Sequence, residues 1–432
     1  MKSIQSILST AAGALNKLRV AVLLMAVMCT AQAAWARTAI STDAASANTP
    51  SGTAPAIRVV TMPAEPIGSG GGISYAGSHS SSVTSGGGGG QTNAFDTIIN
   101  PGPTLSLPAY ADALAAFNRA AAKWESHISD PITINIDADL ASLPSGVLGS
   151  TNSVLLQEGF TDMRNAIVAD AASEPDDAVV SHLPTLAQFS ALLPSVTEGT
   201  FELDGNIVAT KANFKALGYT DLDTAFGATD ATITFSTNFS FDYDNSNGVD
   251  AGKWDFETIA VHEIGHALGF VSRLDYVDSL LDDPAATFAT EDTVTVGIGA
   301  LDMFGFADDQ AGWDPATNTE FTNFPRLLTP GVDRVTDQLT ALFDADAEML
   351  MSEGRLTGDG RQASHWKDNN LTLELIGVMD PTFSSQQVIP IHDSDLRALD
   401  LIGYDISIPE PATMGLLAFG AAGILMRRRR VR

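Results

Sequence analysis

The chain has 432 residues, 44% of them hydrophobic, enough to bury a packed core in one large domain or two smaller ones. Its 23 Lys and Arg against 52 Asp and Glu give a net charge of −29, which opposes binding to nucleic acid or to anionic membrane. Eight of those basic residues lie at the extreme ends, so the body between them is more acidic still.

Residues 1–36 read as an export signal: Lys17 and Arg19 precede the apolar run VAVLLMAVMCTA, and the small-residue sites AQA and AWA follow. Cleavage is expected after Ala33 or Ala36. The single cysteine, Cys29, lies inside this segment, so the mature chain can form no disulfide and hold no metal through a thiol. Residues 37–102 are rich in Gly and Ser and poor in apolar periodicity, which predicts a linker or pro-segment. His79 within it reads as a solvated residue.

Residues 103–408 should form one α+β unit. Ala, Leu, Phe and Trp recur at helical spacing through AYADALAAFNRAAAKWESHI, and DPITINIDADL alternates as a strand after Pro131. A second helix is predicted over SVLLQEGFTDMRNAIVADAAS, and a strand over ATITFSTNFSFDYD. Asp255 can cap a helix through FETIAVHEIGHALG that Gly269 should end. Residues 272–364 have loop character with apolar patches and are too long for a bare loop, which predicts a subdomain. Near the end, Asp393 or Ser394 can cap a helix over SDLRALDLIGYD.

The chemistry sits in VHEIGHALGF. One helical turn separates His262 from His266, so both imidazoles project from one face and can take two corners of a zinc tetrahedron. Glu263 stands beside them, where a carboxylate can act as general base toward an attacking water. Two histidines and a glutamate on an otherwise apolar helix would make an awkward core without a metal. The short pattern H-E-x-x-H-x-x-G-x-x-H needs a third histidine at 272, where this chain has Ser272.

HEIGHALGF, followed after a long insertion by SHW and then by a methionine in GVMDP, resembles the leishmanolysin branch of the metzincins. The resemblance implies a zinc endopeptidase. Its fold would be metzincin-like, with an N-terminal subdomain of mixed sheet and helices, an active-site helix and an irregular C-terminal subdomain. It also implies that Gly269 turns the chain back under the metal and that His365 is the third ligand, beyond an insertion of 98 residues, 267 to 364. Met379 would form the methionine turn beneath the metal. Asp275 and Asp278, just past the helix, compete with His365 as ligands. Gly358, Gly360 and Ser364 suggest that His365 lies on an exposed turn, and His392 is a poor candidate. The disulfide framework of leishmanolysins cannot apply here, and no tyrosine follows Met379 closely enough to serve an oxyanion.

FDYDNSNGVD offers Asp242, Asp244, Ser246 and Asp250 as oxygen ligands for calcium, but its glycine is misplaced for an EF-hand, and a hydrated turn is the favoured reading. The tail, residues 409–432, joins Pro409-Glu410-Pro411 to a short apolar stretch and an arginine cluster. It resembles a PEP-CTERM sorting signal, which implies a Gram-negative exported protein processed by an exosortase-type enzyme and touching the membrane only transiently; a permanent tail anchor is the competing reading. The partners expected are therefore a protein or peptide substrate and that processing enzyme. The rival to a peptidase is a cell-surface or exopolysaccharide-matrix protein that keeps zinc for stability without turnover.

Overall fold

In a computed structural model of the chain, the described residues are 95–406, apart from 198, 290–291, 309–311 and 337–348, together with short strands at 36–39, 58–60 and 65–68. Residues 1–35 of the export signal, with Cys29, and also His79 and the sorting tail lie outside the described residues. Among the described residues no helix is long and apolar enough to cross a membrane.

The fold is mixed α+β. In chain order its first ten strands are β1 (Ala36–Ala39), β2 (Arg58–Val60), β3 (Glu65–Gly68), β4 (Asp96–Pro101), β5 (Thr133–Ala141), β6 (Val147–Ser153), β7 (Leu155–Gly159), β8 (Ser190–Leu193), β9 (Thr200–Thr210) and β10 (Ala231–Ser236). The helices that matter to the site are α1 (Ala111–Glu125), α2 (Phe160–Asp170), α3 (Phe256–Leu268), α4 (Leu274–Leu280) and α5 (Asp393–Asp400).

The central sheet has the order β3-β6-β10-β5-β4. Strands β4, β5 and β10 run parallel, while β6 is antiparallel to β10 and β3 antiparallel to β6. Along β5, Ile134, Ile136, Ala138 and Leu140 are buried in alternation, the period expected of a strand with one covered face. Helices α1 and α3 cover that face. Phe235 on β10 stands beside Leu140 in register, and its ring meets Phe117 of α1 at 5.1 Å and Phe256 of α3 at 4.4 Å between centroids. Arg119 and Lys123 of α1 both pair with Glu257 in the first turn of α3, at 2.8 and 2.7 Å, where a carboxylate also favours the positive end of the helix.

Three expectations are corrected. Helix α2 begins only at Phe160; the first third of the stretch predicted as helical is mostly strand, because Leu155 to Gly159 pair antiparallel with β9 and this tertiary pairing outweighs the helical pattern. The ordered body begins before 103: β4 adds to the parallel sheet, and Thr97 N donates to Glu125 Oε1 at 3.0 Å, while β1, β2 and β3 from the Gly/Ser-rich stretch pair with β8, β7 and β6. The region 272–364 is woven into the rest, with 293–299 running parallel to β9 and 326–327 parallel to β8.

The chain returns at its described end to α2, where Asp130, Asp170, Glu174 and Asp405 crowd together. Burial, reinforced by the neighbouring carboxylates, pushes Asp130 and Asp170 up to about 7 and Glu174 up to about 8. These folded values exceed the unfolded ones, so the folded chain binds more protons and loses stability as pH rises through the raised values. The melting temperature is expected to fall between about pH 5 and about pH 8, the interval from the ordinary carboxylate values to the raised ones. Asp170→Asn with Glu174→Gln should flatten that slope; a parent curve that is level or rises across the window, followed by circular dichroism, would refute the assignment.

Candidate metal centre

Helix α3 is buried along its whole length, including His262, Glu263 and His266. Asp255 caps it as the sequence suggests, its Oδ2 accepting from Thr258 N at 3.0 Å, an interaction worth about 1 kcal/mol. Side chains from three other elements hold its outward carbonyls: Trp124 Nε1 donates to Val261 O at 2.9 Å, Ser153 Oγ to His266 O at 3.0 Å and Tyr404 OH to Leu268 O at 2.6 Å. The helix ends at Gly269 with φ +138°, a conformation that side-chain-bearing residues rarely adopt. That turn swings Phe270 back so that its carbonyl accepts from His266 Nδ1 at 2.8 Å.

The third histidine comes from far along the chain. His365 is 1% exposed, which corrects the expectation of an exposed turn. The cause is Asp275 at the start of α4, whose carboxylate accepts from Ala363 N at 2.6 Å, Ser364 N at 2.9 Å and Ser364 Oγ at 2.5 Å, drawing the segment inward. Asp275 is thus a brace for the histidine loop. Asp278 plays a similar part, accepting from Leu356 N at 2.7 Å and Thr357 N at 3.0 Å. Neither aspartate belongs to the group that gathers His262, His266 and His365.

His262 Nε2 lies 3.0 Å from His266 Nε2, which lies 3.2 Å from His365 Nε2. The opposite nitrogens face backbone carbonyls: His262 Nδ1 meets Val378 O at 2.7 Å, His266 Nδ1 meets Phe270 O and His365 Nδ1 meets Gln362 O at 3.2 Å. A carbonyl only accepts, so each Nδ1 carries the proton and each Nε2 turns a lone pair toward its neighbours. Burial, with the neighbouring imidazoles adding to it, drives His262 and His365 well below the usual histidine range and keeps them neutral. Three converging lone pairs repel one another unless a cation sits among them. Ligands about 2.0–2.1 Å from a tetrahedral zinc stand roughly 3.3 Å apart, close to the spacing here, and the Nδ1–H to carbonyl bonds are the outer support such ligands need. The donor set fits zinc.

Glu263 is fully buried against β6, with Thr151 Oγ1 2.5 Å from its Oε2 and 2.9 Å from its backbone oxygen. Met379 is fully buried beneath α3; a Cβ added at Gly265 would fall 2.4 Å from its sulfur, so glycine inside the histidine motif is what lets the methionine approach. Met379 O accepts from Trp366 N at 3.0 Å, so the methionine turn and the third-histidine segment are joined. His392 is the N-cap of α5, in place of the Asp393 or Ser394 expected there; the Ser394 hydroxyl donates instead to Ile376 O at 2.5 Å. Thr151, Val378 and Asp275 were not singled out for these parts, because no local spacing marks a residue that acts across 88 to 116 positions of chain.

The acidic loop before α3 is tied up internally. Asp242 accepts from Asp244 N at 3.1 Å and Asp250 N at 2.8 Å, Asp244 accepts from Ser246 N at 3.2 Å, and Asp250 pairs with Lys253 at 2.7 Å. These backbone donors hold the Asp242 carboxyl below its usual range. Among the described residues the one other group with metal-ligand spacing is Glu174, Asp177 and Asp400, and Arg397 lies between the last two as their ion-pair partner.

A family model for the PEP-CTERM protein-sorting motif matches residues 407–430. The chain therefore carries a sorting signal of exported proteins, and processing by an exosortase follows from that motif. No curated protein and no solved structure matches the chain.

Replacing His365 by Ala should abolish stoichiometric zinc binding, whereas Asp278→Asn should leave it near the parent value. Elemental analysis of the dialysed proteins decides the point: full zinc in His365→Ala would remove this histidine from the ligand set.

Proposed function

We propose that this chain is an exported zinc-dependent endopeptidase of metzincin type, built as the likeness to leishmanolysins implies. The carrying observation is that His262, His266 and His365 turn three imidazole lone pairs to one point, with Glu263 next to His262 on the same buried helix. Zinc held by those histidines would lower the pKa of a water to about 7 and polarise a peptide carbonyl.

Glu263 then serves as general base and afterwards returns the proton to the leaving amine. Thr151 fixes one carboxylate oxygen, so the other faces a constant direction. Met379, packed under Gly265, and the carbonyls of Val378, Phe270 and Gln362 keep the three rings from rotating. An extended substrate would pair with β6, the strand that bears Thr151. That edge is already paired antiparallel with β3, Glu65 opposite Thr151, which favours reading the Gly/Ser-rich stretch as a pro-segment that gives way before substrate enters.

A protein that used zinc only for stability would need a fourth protein ligand and no neighbouring base. Both the three-histidine set and the placement of Glu263 favour turnover. Glu263→Gln should keep zinc and lower cleavage of a labelled unfolded protein by roughly 10²–10⁴-fold. Equal cleavage by parent and variant, or none by a zinc-loaded parent freed of residues before Phe95, would sink the peptidase reading.

A further inference from the structure

Asp395 lies outside the zinc-ligand set and the general base, yet its carboxylate contacts both the methionine turn and the segment that follows His365. It is the third residue of α5, fully buried, with a carboxylate surrounded by N–H donors. Oδ1 accepts from Trp366 Nε1 at 2.8 Å and Met379 N at 3.2 Å; Oδ2 accepts from Val378 N and His392 N, both at 2.8 Å. Two carboxylate oxygens offer about four lone-pair positions, and all four are used.

Three of the four donors belong to two separate supports of the metal centre, and the fourth, His392 N, is the N-cap of α5 itself. Val378 supplies the carbonyl that accepts from His262 Nδ1, and Trp366 directly follows His365. Gly377 shows how close the approach is: a Cβ there would lie 2.2 Å from Asp395 Oδ1. A buried carboxylate is costly unless its acceptors are filled, so the turn and the histidine segment are held at one separation by the same group.

We propose that Asp395 is a positioning residue of the metal centre, clamping the Val378–Met379 turn that orients His262 to the Trp366 segment that presents His365. The proposal rests on the zinc-centre reading but not on turnover.

In Asp395→Asn the side-chain amide must set a donor against N–H groups, breaking two of the four bonds. Zinc affinity, measured by competition with a chromophoric chelator, is expected to weaken about 10- to 100-fold, with a changed visible spectrum of the cobalt-substituted protein. Trp366→Phe removes a single donor without disturbing the helix and should weaken zinc by a smaller factor; it decides the matter if Asp395→Asn does not fold. Leu399→Ala, on the apolar face of the same helix, should lower the melting temperature yet leave zinc affinity unchanged. The clamp is overturned if Asp395→Asn, or Trp366→Phe in its place, binds zinc within about twofold of the parent with an unaltered cobalt spectrum. It is equally overturned if Leu399→Ala weakens zinc as much, or if the parent binds no zinc. A parent that binds zinc without cleaving protein would remove the peptidase reading and leave the clamp standing.

Discussion

Three buried imidazoles, each with its outer nitrogen pinned to a carbonyl, leave three lone pairs directed at one another. Electrostatics makes that arrangement unfavourable by itself and favourable around a divalent cation, and much of the surrounding structure is organised to hold it. The capped helix α3, the Gly269 turn, the inward pull of Asp275 and the Asp395 contacts each fix one ring or one approach to it. The cap and the glycine turn belong to the histidine helix itself, whereas Asp275 and Asp395 arrive from α4 and α5, so the centre draws on distant parts of the fold.

Holding such a centre without disulfides requires other ties. With a single cysteine, the chain supplies them largely as buried carboxylates that accept backbone N–H groups: Asp275 for the histidine loop, Asp278 for the segment ahead of it, Asp395 for the methionine turn. A carboxylate with several N–H donors is held by charge-assisted bonds about twice as strong as neutral ones. The acidity of the chain therefore has two sources. Part is surface charge suited to an exported protein, and part is interior stapling by aspartate in a chain whose single cysteine can close no disulfide within it.

The sorting motif and the metal centre bear on function at different levels. The motif speaks to where the protein goes and how its tail is processed. The centre speaks to chemistry, and the proposed peptidase depends on Glu263, which follows His262 on the buried helix and is held by Thr151. Pairing of β3 with β6 sets Glu65 opposite Thr151, the residue that donates to the Glu263 carboxylate, so the N-terminal stretch adjoins the strand that the proposed substrate would use.

Much was legible from residues in sequence. The spacing of His262 and His266 placed both rings on one helical face because 3.6 residues make a turn, Asp255 and Gly269 marked the helix ends, and the strand after Pro131 alternated visibly. What only the tertiary structure decided concerns partners distant in the chain. Asp275 and Asp278 are chemically able to ligate a metal, and their use as backbone acceptors follows from where residues 356–364 pass over α4. The burial of His365 was hidden by its glycine-rich surroundings, and the strand over Leu155–Gly159 by a helix-like pattern, since in both cases a neighbour remote in sequence supplied the deciding contacts. Periodicity and capping record the chain's interactions with itself over one or two turns; the convergence of three lone pairs on one point is a property of the packed whole.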